Sequence, residues 1–139
     1  MFVDFIQKIK ENLETVGRLN PEAIYDYDEQ NLRGYPSAIV MPSENMSDYV
    51  STTENRRTFV FTIRICQEFS TISLKDADEI LRNVVDEIIK VFDKDYKLGG
   101  TADKVFATPS VWGYAQRESG VVRTADIRLQ VQKDYDIYE

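Results

Sequence analysis

Two stretches of strict period-two alternation constrain this chain more than any other feature of its sequence. Large apolar residues alternate with other residues within residues 57–67, and residues 123–131 repeat the pattern. The apolar positions are Phe59, Phe61, Ile63 and Ile65 in the first stretch and Ala125, Ile127, Leu129 and Val131 in the second. Alternation of this length is typical of β-strands that bury one face. The sequence therefore predicts a sheet with one apolar face that other elements must cover.

Two amphipathic segments can provide that cover. The first spans residues 2–16, and its apolar residues recur at helical spacing on one side. Phe2 and Phe5 could instead anchor it to a membrane or a partner, but we expect them to pack on the domain's own sheet. The second segment, residues 74–92, follows a helix-capping Ser73 and is apolar over nearly half its circumference. So wide a stripe indicates a further contact, either with the first helix or with a neighbouring subunit.

The remaining segments complete the predicted order. Short strands are expected at 23–27 and at 35–41, and another strand at 104–116, where Pro109 implies a bulge or an edge position. A tight turn at 117–120 precedes the final strand. The polar residues 43–55 are predicted to form a long loop, and 133–139 a flexible or docking tail. We therefore expect one α+β domain over residues 1–139, in which two helices cover one face of a largely antiparallel sheet of four to five strands, in the order α-β-β-β-α-β-β.

Composition restricts the chemistry. The 139 residues include no histidine and a single cysteine, Cys66, and 24 acidic against 17 basic residues give a formal charge of −7. Zinc sites and an internal disulfide are therefore not expected, and an acidic surface disfavours specific nucleic-acid binding. Asp4 interrupts the N-terminal apolar run, so we expect neither a signal peptide nor a membrane span, but a soluble intracellular protein. Without a histidine to activate it, Cys66 is interpreted as a packing residue.

Carboxylates are the only candidates for catalysis or metal binding. Asp26, Asp28 and Glu29 could form a weak site for a hard cation, whereas the residues that follow Asp93 do not fit a calcium loop. Glycine-rich phosphate loops are absent from the sequence. We therefore predict no catalytic residue, no metal and no cofactor, and an enzyme that uses the Asp26 group is the least favoured alternative. The aromatic residues could form a base-stacking platform or a subunit interface, and the interface is favoured. They are Trp112, Tyr114, Tyr135 and Tyr138.

Taken together, the order and spacing of these segments resemble those of the tail terminator and tail-completion proteins of long-tailed bacteriophages, also described as head–tail joining or minor tail proteins. The similar features are the amphipathic N-terminal helix, the strand at 35–40, a polar excursion, the strand at 57–63, the long acidic helix and the closing strand at 121–131. The resemblance covers nearly the whole chain, and it includes no catalytic motif.

The resemblance implies a non-enzymatic virion protein that forms a ring, commonly of six subunits, caps the tail tube and joins it to the head connector. Its expected partners are therefore copies of itself, the tail tube protein and the neck proteins, with no membrane. Its expected location is the virion, after assembly in the host cytoplasm. A closed ring needs a heterologous interface. We hypothesise that Tyr49, Val50, Arg56 and Arg57, at the end of the polar excursion, contact a neighbouring subunit or the tail tube.

Two alternatives stay open at this point. Acidic residues could line a central channel through which DNA passes without adhering, or they could face outward and aid solubility. The chain could also be a cytoplasmic protein-binding adaptor or chaperone-like module that uses the same acidic surface.

Overall fold

The computed structural model describes the backbone of residues 2–49 and 54–136 and the side chains of residues 4–43 and 56–134. Two helices and five strands follow one another in the predicted order. They are α1 (Phe2–Glu14), β1 (Ile24–Tyr25), β2 (Ser37–Tyr49), β3 (Glu54–Gln67), α2 (Leu74–Lys94), β4 (Lys104–Arg117) and β5 (Gly120–Asp136). The α+β class and the element order expected from the sequence are confirmed.

All five strands belong to one sheet in the order β1-β2-β3-β5-β4. Three of the four pairings are antiparallel, and only the two-residue strand β1 lies parallel to its neighbour β2. Because β5 lies between β3 and β4, the strand nearest the C-terminus is also an interior strand. β4 is an edge strand with a register shift between Pro109 and Trp112, so both structural consequences expected from Pro109 are present.

The alternating residues of β3 and β5 form the floor of the core. Phe59, Phe61, Ile63 and Ile65 on β3 and Ala125, Ile127, Leu129 and Val131 on β5 are all buried in the cluster that also contains the apolar faces of both helices. Phe5 of α1 packs on Phe59 with ring centroids 5.1 Å apart. Phe5 therefore packs on the domain's own sheet, as expected, and we call this side of the sheet the helix face.

The apolar stripe of α2 is buried in one cluster with the sheet and with the apolar face of α1, so the expected contact with the first helix is present. Polar contacts also join α2 and its C-cap to α1 and to the residues that follow it. The Asn12 amide donates to the Asp95 carboxylate at 3.0 Å. The backbone N–H of Gly17 donates to Glu87 at 3.0 Å, and Arg18 pairs with the same carboxylate at 3.2 Å. At the start of α2, the Ser73 hydroxyl accepts from the Asp76 N–H at 3.1 Å, which is the predicted N-cap.

A smaller cluster lies on the opposite side of the sheet, which we call the open face. Ile39, Cys66 and Val122 are buried there together with Tyr25, the last residue of β1, and Leu32, which lies within the β1–β2 connection. That connection is attached to the β4–β5 turn by three contacts. Arg117 pairs with Asp28 at 3.0 Å, the Glu118 N–H donates to the Gln30 carbonyl, and the hydroxyls of Tyr35 and Ser119 lie 2.9 Å apart.

Two sequence predictions about irregular segments are corrected. Residues 43–55 were expected to form a long loop, but β2 continues to Tyr49 and β3 begins at Glu54, so only 50–53 separate the strands and lie outside the described residues. Residues 133–139 were expected to form a tail, but 133–136 continue β5 and pair with 54–57. In both places, polar residues that show no apolar alternation form paired strands.

Candidate interaction surfaces

Three of the four predicted interface residues, Tyr49, Arg56 and Arg57, lie near the far ends of β2 and β3. Tyr49 is the last residue of β2 and pairs with Asn55, while Val50 lies outside the described residues. Arg56 and Arg57 are not at the end of a loop but within β3, paired with Asp134 and Lys133 of β5. Because successive strand residues point to opposite faces, the two arginines cannot act on one flat surface.

Three strands extend beyond the last core contacts and form what we call the arm, consisting of residues 44–49, 54–58 and 132–136. The outermost core residues on β3 and β5 are Phe59 and Val131, and the pairing continues for five further residues on each strand. A 14-residue strand such as β3 is about 46 Å long, whereas the 21-residue helix α2 is about 31 Å long. The sheet is therefore longer than the helices that cover it.

An ion pair links two strands of the arm. Arg56 Nε lies 3.0 Å from Asp134 Oδ1 across the β3–β5 pairing, with both side chains partly exposed. Directly opposed unlike charges stabilise neighbouring strands modestly. The ion pair therefore adds to the backbone pairing that joins β3 and β5 in the arm.

The open face between the arm and the smaller cluster is polar. Arg64 donates two hydrogen bonds to Asp126, at 2.9 and 3.0 Å, and this fork raises the pKa of the Arg64 guanidinium. The hydroxyls of Ser43 and Thr62 lie 2.6 Å apart. Ser43, Thr62 and Asp126 border a depression of about 120 Å³. So small a depression is suited to contacts with side chains of a partner more than to enclosing an organic ligand.

The edge strand β4 carries the largest group of exposed apolar side chains on any described strand. They are Phe106, Val111, Trp112 and Tyr114, and Val111 is 62% exposed. Two of these aromatic rings hold a cation, because the Arg123 guanidinium lies 4.6 Å from the Tyr114 ring centre and 5.8 Å from that of Trp112. Arg123 also pairs with Asp78 of α2 at 2.7 Å and donates to the Gly113 carbonyl at 3.1 Å.

The structure describes the side chains of two of the four aromatic residues that were predicted to form a platform. Trp112 and Tyr114 lie on one edge strand, whereas the side chain of Tyr135 and the whole of Tyr138 lie outside the described residues. The contribution of Val111 was missed in the sequence, because the register shift at Pro109 interrupts the alternation that would have placed it.

Two acidic residues of the cluster near Asp26 interact with other groups of the protein. Asp28 pairs with Arg117, and Glu29 accepts from the Asn31 N–H at 3.0 Å. A hydrogen bond from the Tyr27 hydroxyl lowers the pKa of Glu29. Among the residues that the structure describes, no group of three potential metal ligands occurs.

The single cysteine is enclosed. Cys66 is fully buried between Ile39 and Val122, and burial raises the pKa of its thiol although the Arg117 guanidinium opposes the shift. A buried thiol with a raised pKa is a poor nucleophile. Its role as a packing residue is consistent with this environment.

Comparisons with known proteins add no relative. No protein-family model matches the chain, and no curated protein matches it. Within the described part of the chain, neither helix is long and apolar enough to cross a membrane.

Proposed function

We propose that this protein is a non-enzymatic virion assembly protein that forms a ring, caps the tail tube of a bacteriophage and joins it to the head connector. The proposal starts from the resemblance in element order and spacing. The single observation that supports it best is the arm, in which three paired strands of largely polar sequence continue past Phe59 and Val131. A protein that acts by geometry needs contact surfaces of this kind more than a cavity.

In this proposal the arm contacts a neighbouring subunit or the tail tube. Tyr49, Val50, Arg56 and Arg57 remain the candidate contact residues, and three of them, Tyr49, Arg56 and Arg57, lie in paired strands and not in a loop. Arg56 and Arg57 lie on opposite faces of β3, so one can face a neighbouring subunit while the other faces the tube. Six copies is the number that the resemblance implies.

Charge reversal in the arm tests the proposal. The double variant R56E/R57E should lose ring formation or tube capping, as seen by electron microscopy of the protein mixed with tubes of its own tail tube protein. The matched control is R18E/R33E, because Arg18 and Arg33 are exposed outside the arm and the change in net charge is equal. Circular dichroism verifies that both variants fold.

The proposal fails if the wild-type protein neither forms rings nor alters the ends or lengths of tubes. It also fails if a persistent monomer binds a host peptide and ignores tubes, since that behaviour identifies an adaptor. If rings and capping survive R56E/R57E, the assignment of contacts to these two arginines is wrong.

A further inference from the structure

The outer edge of β4 is open along its length. In the described part of the sheet β4 pairs only with β5, so one side of its backbone has no strand partner. Long exposed edges attract further strands, and proteins usually protect them. This edge displays Phe106, Val111, Trp112 and Tyr114. It also carries no acidic residue from Lys104 to Arg117, in a chain that contains 24 acidic residues.

The opposite edge of the same sheet is open as well. The short strand β1 pairs only with Ala38 and Ile39, so β2 from Val40 to Tyr49 has no outer partner among the described strands. Charge on this edge has the opposite sign. β2 contains Glu44 and Asp48 and no basic residue.

Strand direction permits these two edges to meet. In the described sheet the directions of β2, β3, β5 and β4 alternate, because each consecutive pair is antiparallel. A second copy placed beside β4 in the same orientation presents its own β2, which runs antiparallel to β4. The alternation then continues, and the helices of both copies remain on the same side of the joined sheet.

Register brings complementary charges to the same level. Lys104 pairs with Gln132, Gln132 with Thr58, and Thr58 with Met46, so positions 104 and 46 lie on one line across the sheet. Positions 44 and 48 flank Met46 on β2. When a second copy joins without stagger, Lys104 is therefore level with the stretch that contains Glu44 and Asp48 of that copy.

We propose that the occupant of the β4 edge is a second copy of this chain, joined by antiparallel pairing of its β2 with β4. The contact is heterologous, because different edges meet, and repeated contacts of this kind can close into a ring. Pairing two β4 edges about a two-fold axis would instead leave Glu44 and Asp48 unmatched. The register shift at Pro109 divides β4, and the half that begins at Lys104 is the half that pairs. This inference rests on the proposed function only in requiring copies joined head to tail.

Disulfide trapping tests the pairing. Thr108 lies on one line with Arg128, Thr62 and Met41, so an unstaggered second copy brings its Met41 directly opposite Thr108. Directly opposed strand residues have Cβ atoms at a distance that suits a disulfide. In a C66A background, oxidation of M41C/T108C at about 1 mM protein should give a ladder of linked multimers, since even a Kd of 1 mM populates pairs there. M41C alone and T108C alone should stay unlinked.

Charge exchange gives an independent measurement. K104E should weaken self-association at least tenfold in sedimentation experiments, and E44K/D48K combined with K104E should restore it. The control is K75E, which makes the same change at an exposed position on α2, away from the arm and from both sheet edges.

Each result distinguishes the edge pairing from the proposed function. A double-cysteine protein that remains monomeric, or T108C that dimerises alone, overturns the edge pairing. Rings that cap tubes without the disulfide ladder would leave the function intact and overturn the pairing. A ladder in a protein that does not cap tubes would support the pairing and overturn the function.

Discussion

At the scale of single residues, Arg123 joins three elements of the molecule, β5, β4 and α2. It lies on the interior strand β5, yet it contacts Asp78 at the start of α2, the Gly113 carbonyl and the rings of Tyr114 and Trp112. In the sequence, Arg123 is in phase with the apolar residues Ala125, Ile127, Leu129 and Val131 and is the one charged residue among them. Its partners come from distant segments, so periodicity could not reveal them.

Arg123 should contribute measurably to stability. The Arg123→Met variant removes the ion pair and the hydrogen bond and leaves Asp78 partly buried without its cation, so we expect a loss of about 1–3 kcal/mol in the free energy of unfolding. Urea unfolding followed by far-UV circular dichroism measures it. As a control, Arg18→Met breaks a pair in which Arg18 is 60% exposed, and it should cost at most about 1 kcal/mol. An equal or larger loss for Arg18→Met would contradict this prediction.

At the scale of elements, the sequence predicted the helices and strands that bury apolar residues, and it missed the polar continuations of the strands. The interior strands and both helices were correct because apolar residues recur at the strand and helix periods. The predicted strand stopped before residue 42, because Ser43, Glu44 and the polar residues that follow resemble a loop. In the structure these residues pair along the arm, which has no core beneath it, and a register shift between Pro42 and Glu44 interrupts the strand.

The candidate surfaces were also predicted only in part. Arg56 and Arg57 were selected as neighbours of a supposed loop, so their place on opposite faces of a strand was not foreseen. The edge position of β4 did follow from Pro109, since proline is excluded from interior strands. The sequence did not reveal that the β1–β2 connection covers Cys66, because this cover depends on contacts between distant segments.

The connection between β3 and α2 contains a carboxylate whose state should control local stability at low pH. Glu68 accepts hydrogen bonds from the backbone and hydroxyl groups of Ser70 and Thr71, which lower its pKa to about 2. A pKa depressed on folding adds stability that is complete above the unfolded value of 4.5 and is lost as the pH falls from there towards 2. We therefore expect Glu68→Gln to destabilise the protein near neutral pH and to have less effect as the pH approaches 2.

Unfolding measurements across this pH range test the role of Glu68. The control is Glu118→Gln, the same substitution at an exposed position in the β4–β5 turn. A destabilisation by Glu68→Gln that does not change with pH would show that the hydrogen bonds do not depend on the charge. Carboxyl chemical shifts measured by NMR give the pKa of Glu68 directly.

At the scale of the whole molecule, the excess of acidic residues predicts weak interaction with DNA. A net charge of −7 repels a phosphate backbone and gives no gain from counterion release. We expect negligible binding of a labelled duplex in fluorescence anisotropy even at low salt, where any attraction would be strongest. Clear binding in the micromolar range would contradict this expectation. Negligible affinity is what either location of the acids requires, along a channel or on the outer surface.

The position of β5 has a consequence for how the molecule is made. Ribosomes produce β3, α2 and β4 before β5, yet β5 must insert between β3 and β4. Until it does, no strand joins β3 to β4, and the apolar residues of β3 lack the neighbouring apolar residues of β5. Nascent chains therefore cannot complete the sheet during translation of the first four strands, and their exposed strands are open to mispairing. The chain should therefore become able to assemble only in one late step, when β5 pairs with β3 and β4.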